Sequence, residues 1–398
     1  MSLGSYQAQT FPSSAEFDAT DPDRLADIEH KHQRVSDFLK SNGFEGLLLQ
    51  HPVNFAWFTS GAICPQLSAN EPTAAVFVSP DARLVVSNNV DSGEMFDKQL
   101  AGLGFLLKER SWTEPRQVLL DDLCRGRKMA SDSGFGQSAD QSQRLASWRV
   151  PLRPVECARM KELGRVVAHA VEATARNVEP GQTESEIAGQ LAHRLVKHSA
   201  TPLRLRAVAD GRARQYRHWT FGEALLRRWC TISAVATRWG LCCAATRTVC
   251  FGQPPENLAH LFQKGAMLHA TGLFFSRAGV DLGTVWDKVR RIYEKTGLED
   301  DWQHCDQADL IGYQVCETPL VPRSEYLLEP GMAMHWHPSA EAIQLGDTLL
   351  VTDEGGVILT PVDDQWPTLR VSVKGQPVAV ADMLCREPGQ PRSDSVLD

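Results

Sequence analysis

The residues best equipped for chemistry lie in three places. His218 sits within Gln215-Tyr216-Arg217-His218-Trp219, a stretch from Cys305 to Glu317 carries Cys305, Asp306, Asp309, Cys316 and Glu317, and His337 follows later. An imidazole titrates near neutrality and exchanges protons without help from a metal, so His218 suits a general acid/base role. A cysteine thiolate beside His337 would attack an amide or ester carbonyl. No Cys–His sequence signature marks such a pair, because its members meet only in space. Asp309 and His337 are ligand types for a divalent ion, but two ligands fall short of the three or four that a tight site takes. Each residue also has an ordinary alternative: a hydrogen-bonded carboxylate, a partly buried histidine, an inert thiol.

These residues need elements to position them. A helical pattern over Leu25 to Asn42 stops at Asn42-Gly43, and a short buried strand follows at Gly46 to Gln50. Ala74–Val78 and Arg83–Ser87 read as strands joined by a Pro/Asp turn. This α/β pattern ends near Arg153. The second half opens on a long helical stretch, Val155 to Asn177. Thr183-Glu184-Ser185-Glu186 then has the form of a capping box and starts another helix. Strands are expected at Leu205–Val208, Thr231–Ala236 and Leu241–Phe251, and helices at Pro255–Ala270 and Leu282–Thr296. Strands return at Ala333–Trp336, Asp347–Thr352 and Gly356–Thr360. The expected organisation is a disordered tail over 1–23, an α/β domain over 24–153, an α+β domain over 154–385 and a second tail over 386–398.

Composition limits the partners. With 398 residues, 42% of them hydrophobic and 23% charged, the chain fits a soluble two-domain protein. A formal charge of -8 argues against nucleic acid as a partner, since phosphate neutralisation calls for a basic surface. Arg204, Arg206, Arg212, Arg214, Arg217, Arg227 and Arg228 do crowd one region, and they read as a solvated surface or as ion pairs. No apolar run has membrane-spanning length, and Met1 to Asp23 lacks the form of a secretory signal. The ten cysteines form no compact framework, so reduced thiols and a cytoplasmic location are expected.

Several phrases resemble the pita-bread metallopeptidases of family M24, which include methionine aminopeptidase, proline dipeptidase, aminopeptidase P and creatinase. They are GLLLQHPVNFAWFTSG, VEPGQTESEIA, ATRTVCFG, IGYQVCETP, LEPGMAMHWHP and GDTLLVTDEGGVILT. The resemblance covers nearly the whole chain between the tails. It implies an α+β protein: a pita-bread C-terminal domain behind an α/β creatinase-type N-terminal domain. The family binds two metal ions through two Asp, one His and two Glu, whose oxygens bridge the ions and activate a shared water. Aligned on the Thr246-Arg247-Thr248 phrase, on Gly312, and on Pro338 and Asp347-Thr348, those five positions hold Ser233, Ala244, Asp309, His337 and Gly346. No metal and no other cofactor is therefore expected.

A less studied bacterial branch, Xaa-Pro aminopeptidase-like and already short of the full metal set, is similar in Tyr216-Arg217-His218, Asp301-Trp302 to Tyr313, Glu317 and Trp336-His337-Pro338-Ser339. Cys316 stands where the family has a substrate-contacting histidine. His218 stands where creatinase, which uses no metal, has its acid/base. The resemblance implies substrate contact for Tyr313, Trp336, Arg247, Gln307 and Cys316, with Arg247 mainly an ion-pair partner of Asp347. Trp219, Trp239 and Trp336 would line the cleft.

Three functions follow as expectations. The first is a homologue that has lost the dinuclear site and binds a peptide or small molecule without catalysis. The second is a metal-independent hydrolase of a C–N bond, an amidinohydrolase or amidase, with His218 as acid/base assisted by His337 or Glu317. The third is a metal-dependent Xaa-Pro aminopeptidase with substitute ligands. A homodimer is the expected assembly, with no membrane partner.

Overall fold

The computed structural model describes residues 21–64, 73–212 and 216–389. They fall into two compact units, divided between Ser142 and Gln143. The expected tails lie outside the described residues, apart from 21–23 and 386–389. There, Pro22 and Asp23 already belong to a helix and Arg386 to a strand.

In the first unit the helix Pro22–Asn42 begins where the Asp21 carboxylate accepts from the amides of Asp23 and Arg24, at 3.1 and 3.2 Å. It ends at Gly43, whose φ of 64° is a left-handed conformation that a side chain would oppose. A six-stranded sheet follows in the order Leu106–Arg110, Arg83–Asn88, Ala75–Val78, Gly46–Leu49, Met129–Ser131, Ala139–Asp140. Ala75–Val78 runs antiparallel to both neighbours, and the remaining pairs are parallel. The NFAWFTSG phrase supplies a short helix, Pro52–Phe58.

The second unit opens with the helix Pro154–Asn177 and then Glu184–Lys197. The capping box forms: Thr183 N–H donates to Glu186 Oε2 at 2.7 Å, and Glu186 N–H donates to Thr183 Oγ1 at 3.1 Å. A four-stranded sheet has the order Leu384–Arg386, Leu241–Phe251, Trp229–Arg238, Thr201–Ala209. Trp239 and Gly240 make the two-residue turn between its long strands, both at positive φ (55° and 75°), as a tight hairpin requires. A second sheet of five antiparallel strands runs Thr318–Pro319, Ala308–Ile311, Ala333–Trp336, Asp347–Thr352, Gly355–Ile358. The two sheets meet at a bridge between Thr246 and Gly346, where Thr246 N–H donates to the Gly346 carbonyl at 2.9 Å. The helices Glu256–Phe275 and Leu282–Lys295 pack with the second sheet in one apolar core. The hairpin of Thr368–Val373 with Gln376–Ala381 was not expected from the sequence.

Trp336 shows how closely this core is fitted. Its ring is fully buried, its Nε1–H donates to Ser276 Oγ at 2.9 Å, and it lies flat against Gly272 of the Glu256–Phe275 helix. A Cβ on Gly272 would stand 2.5 Å from the indole. Gly272→Ala should therefore destabilise the protein by about 1–3 kcal/mol, even though alanine is the better helix former by about 1 kcal/mol. Urea denaturation is the measurement, and an unchanged or higher midpoint would refute it.

Candidate active site

Asp309 lies on the Ala308–Ile311 strand, directly opposite His335 on Ala333–Trp336, and His337 follows that strand's end. The His337 amide donates to the Gln307 carbonyl at 2.8 Å, which anchors its backbone. Its ring Nε2 is 3.0 Å from Asp309 Oδ2, and its Nδ1 is 3.0 Å from an Arg217 guanidinium nitrogen. A guanidinium only donates, so Nδ1 must accept. The ring is then neutral with its proton on Nε2, donated to Asp309. Both nitrogens are occupied. Arg217 also donates to Asp306 Oδ1 at 3.1 Å and, at 2.8 Å each, to the backbone carbonyls of Asp306 and His337.

Asp306, Asp309 and His337 thus converge: each offers a ligand atom, and these atoms lie within 4.8 Å of one another. The sequence pairs Asp309 with His337 and offers Cys305, Asp306 and Cys316 as further candidate ligands, and of these three it is Asp306 that joins the pair. The other positions that the family resemblance places at the metals hold nothing comparable. Ser233 Oγ accepts from Thr246 Oγ1 at 3.0 Å. Ala244 is buried, and its amide and carbonyl are both taken by the Thr348 hydroxyl, at 3.1 and 2.8 Å. At Gly346 a Cβ would stand 2.8 Å from Thr246 Oγ1, so that hydroxyl fills the space where a side chain would start. A dinuclear site needs carboxylates bridging from several sides, and here a fixed guanidinium touches two of the three remaining donors. These residues do not fit a bridged pair of metal ions.

Arginine recurs on the same sheet face. Arg206 is directly opposite Ser233 on the neighbouring strand, and is 5% exposed. It donates to the Trp219 carbonyl at 2.8 Å and to Gln344 Oε1, both neutral. Burial, with Arg217 and Arg204 close by, pulls its pKa down to about 10. Of the arginine crowd expected to be solvated or ion-paired, Arg227 and Arg228 are exposed, Arg217 pairs with Asp306, and Arg214 lies outside the described residues. Arg206 departs from that reading, being buried with no carboxylate partner among the described residues. The cause is strand periodicity: in Arg204-Leu205-Arg206 the two arginines point to one face.

The remaining predicted site residues are placed as follows. His218 is exposed. Glu317 is bound in bidentate fashion by Arg149, at 2.7–3.0 Å, and its side chain is fully shielded. Tyr313 is buried, with its hydroxyl donating to Glu156 Oε1 at 2.6 Å. Gln307 is buried, accepts from the Tyr293 hydroxyl at 2.6 Å and donates to the Cys305 carbonyl at 2.7 Å. Arg247 is buried among Glu172, Asp347 and the Thr360 carbonyl. Burial, then the charge of Asp309, hold the Cys316 thiol up at about 12, so it stays protonated at neutral pH.

Two more buried imidazoles went unnoticed in the sequence. The ring of His335 lies beside that of His337, with centroids 4.6 Å apart and planes tilted by 39°, and neither of its nitrogens has a hydrogen-bond partner among the described residues. His269, on the Glu256–Phe275 helix, also lacks a hydrogen bond among the described residues, although its Nε2 is 3.8 Å from Asp347, and it lines a small internal cavity with Thr246, Gly346 and Asp347. Burial drives His335 well below the ordinary histidine range and His269 down to about 4.

Comparisons with known proteins agree with this geometry at the level of fold and family. The sequence model of metallopeptidase family M24 matches residues 158–353. An uncharacterized peptidase of Bacillus subtilis, YqhT, is 25% identical over 210 residues, which is 50% of this chain and 59% of that protein's length. The Xaa-Pro dipeptidase from Bacillus anthracis superposes with a TM-score of 0.70 at 19% identity, over 84% of this chain and 99% of its own. The prolidase from Pyrococcus horikoshii OT3 gives 0.72 at 15% identity, over 84% and 99%. Likeness of this kind establishes the fold, the α+β pita-bread arrangement expected from the sequence. Among the described residues no helix is long and apolar enough to cross a membrane.

Proposed function

The chain belongs to metallopeptidase family M24, and from that premise we propose that it uses the pita-bread cleft to bind a peptide or small molecule without two-metal hydrolysis. One observation carries this reading. The Arg217 guanidinium is bonded to Asp306 and His337, two of the three donors that remain in the cleft. The chain's own cation stands against the ligand atoms that an imported one would need. The hydroxyl of Thr246 against Gly346 and the closed backbone of Ala244 support the same conclusion.

Xaa-Pro dipeptides are the first ligands to try, because the superposed structures include an Xaa-Pro dipeptidase and a prolidase. The expected result has three parts. Protein purified without chelator carries no stoichiometric Mn, Co or Zn. A dipeptide such as glycyl-proline raises the melting temperature. No free proline is released. Two bound metal equivalents together with hydrolysis would overturn the proposal.

The three-donor cluster favours one alternative, a single ion held by Asp306, Asp309 and His337 after Arg217 withdraws. One metal equivalent per chain, lost in Asp309→Asn, would select that reading.

A further inference from the structure

We propose that the cleft holds a carboxylate, bound between Arg206 and Arg217 on the sheet face where Ser233 replaces an acid. This deepens the binding reading above and rests on it.

The argument starts from charge. Arg217, Arg204 and Asp306 all lie close enough to act on the charge of Arg206, the two arginines opposing it and the one carboxylate favouring it. Guanidinium groups outnumber carboxylates there. The surplus falls on Arg206. Arg217 is paired with Asp306 at 3.1 Å, whereas among the described residues Arg206 has only a carbonyl and an amide oxygen. A buried guanidinium without a counter-ion is costly, and its planar fork suits a carboxylate in bidentate fashion.

The surroundings agree. Cross-strand neighbours directly opposite have Cβ atoms about 4.5–5.5 Å apart, so a carboxylate at position 233 would reach Arg206. Serine there leaves that reach to a ligand. His335 adds a buried imidazole with no hydrogen-bond partner among the described residues, beside His337 in the same wall. Tyr216, 54% exposed and paired with Trp219 at 5.9 Å, places an aromatic surface beside Arg217 for the apolar part of a ligand.

The test titrates sodium acetate against chloride at constant ionic strength and follows the melting temperature of the full chain. A saturable rise is expected for the parent. Arg206→Gln should weaken it by about tenfold or more, as loss of a charge-assisted hydrogen bond implies. Ser233→Asp keeps Arg206 but supplies a carboxylate from within the chain. It should raise the melting temperature on its own and abolish the acetate effect. Ser233→Asp therefore guards against misreading a poorly folded Arg206→Gln protein. An acetate response that is absent from the parent, or equal in parent and Ser233→Asp, overturns the proposal. So does inorganic phosphate binding where acetate does not. Glycyl-proline and glycyl-prolinamide then separate this inference from the peptide reading. Acetate binding without either dipeptide sinks the peptide ligand and leaves the carboxylate site standing. Equal binding of acid and amide sinks the carboxylate site.

Discussion

Arg247→Met should lower the unfolding free energy by about 3–5 kcal/mol, the cost of removing one partner from a buried ionic network. Arg247 is fully buried. Its Nε donates to Glu172 at 3.0 Å, one terminal nitrogen to Asp347 at 2.8 Å, and the other to the Thr360 carbonyl at 2.9 Å. Burial works against its charge, but Asp347 and Glu172 outweigh that and hold the proton more firmly than usual. Methionine fills much of the volume, leaves Asp347 without its guanidinium and leaves Glu172 with only the more distant Arg176, at 3.8 Å. Asp347 keeps one hydrogen bond, from the Thr360 hydroxyl at 2.8 Å, which is not a charge partner. Arg247→Lys should recover only part of the loss, because a compact ammonium cannot span three partners on separate elements. Urea unfolding decides it, and a loss under about 1 kcal/mol for Arg247→Met would show that the network does not behave as a buried ionic unit.

Acidification should destabilise the protein through His269. Its folded pKa is about 4, while an unfolded histidine titrates near 6.5. The unfolded chain therefore binds more protons as pH falls from about 6.5 to about 4, and stability must drop through that window. The difference corresponds to about 3 kcal/mol. His335, also buried and without a hydrogen bond among the described residues, acts in the same direction. In His269→Leu the plot of unfolding free energy against pH should be flatter between about 4 and 6.5 than in the parent. Parallel plots would mean that His269 finds a partner or water in the folded state.

Local signals in the sequence carried well. The Thr183–Glu186 capping box, the stop at Asn42-Gly43 and the strands flanking Trp239-Gly240 depend on residues a few positions apart, and they stand as read. The site was legible only in outline. Asp309 and His337 could be named as a pair from their types, and they do meet. Asp306 joins them from the irregular segment just before the Ala308–Ile311 strand, a geometry no spacing encodes. Glu317 is held by Arg149, 168 positions away. Thr246 fills the space at Gly346 because two strands nearly 100 residues apart touch there. Arg206 was visible as a charge, and the Arg-Leu-Arg alternation marked which side of a strand it would take. What lay on that side, neutral oxygens in place of a carboxylate, depends on Trp219 and Gln344 arriving from elsewhere.

The bridge between Thr246 and Gly346 has a consequence for motion. It is one of several links that join the two sheets at the cleft floor. Others are Arg247 to the Gly346 carbonyl at 3.3 Å and to Asp347 at 2.8 Å, the Cys242 amide to the Gly312 carbonyl at 2.7 Å, and the paired bonds of Thr348 with Ala244. In relatives that hold ions between these strands, coordination would provide that link and could be withdrawn. Here it is made of backbone and buried side chains, so the floor has no loose state short of sub-global unfolding. A molecule entering this cleft would therefore meet a fixed floor, and the room for adjustment would lie with the side chains above it.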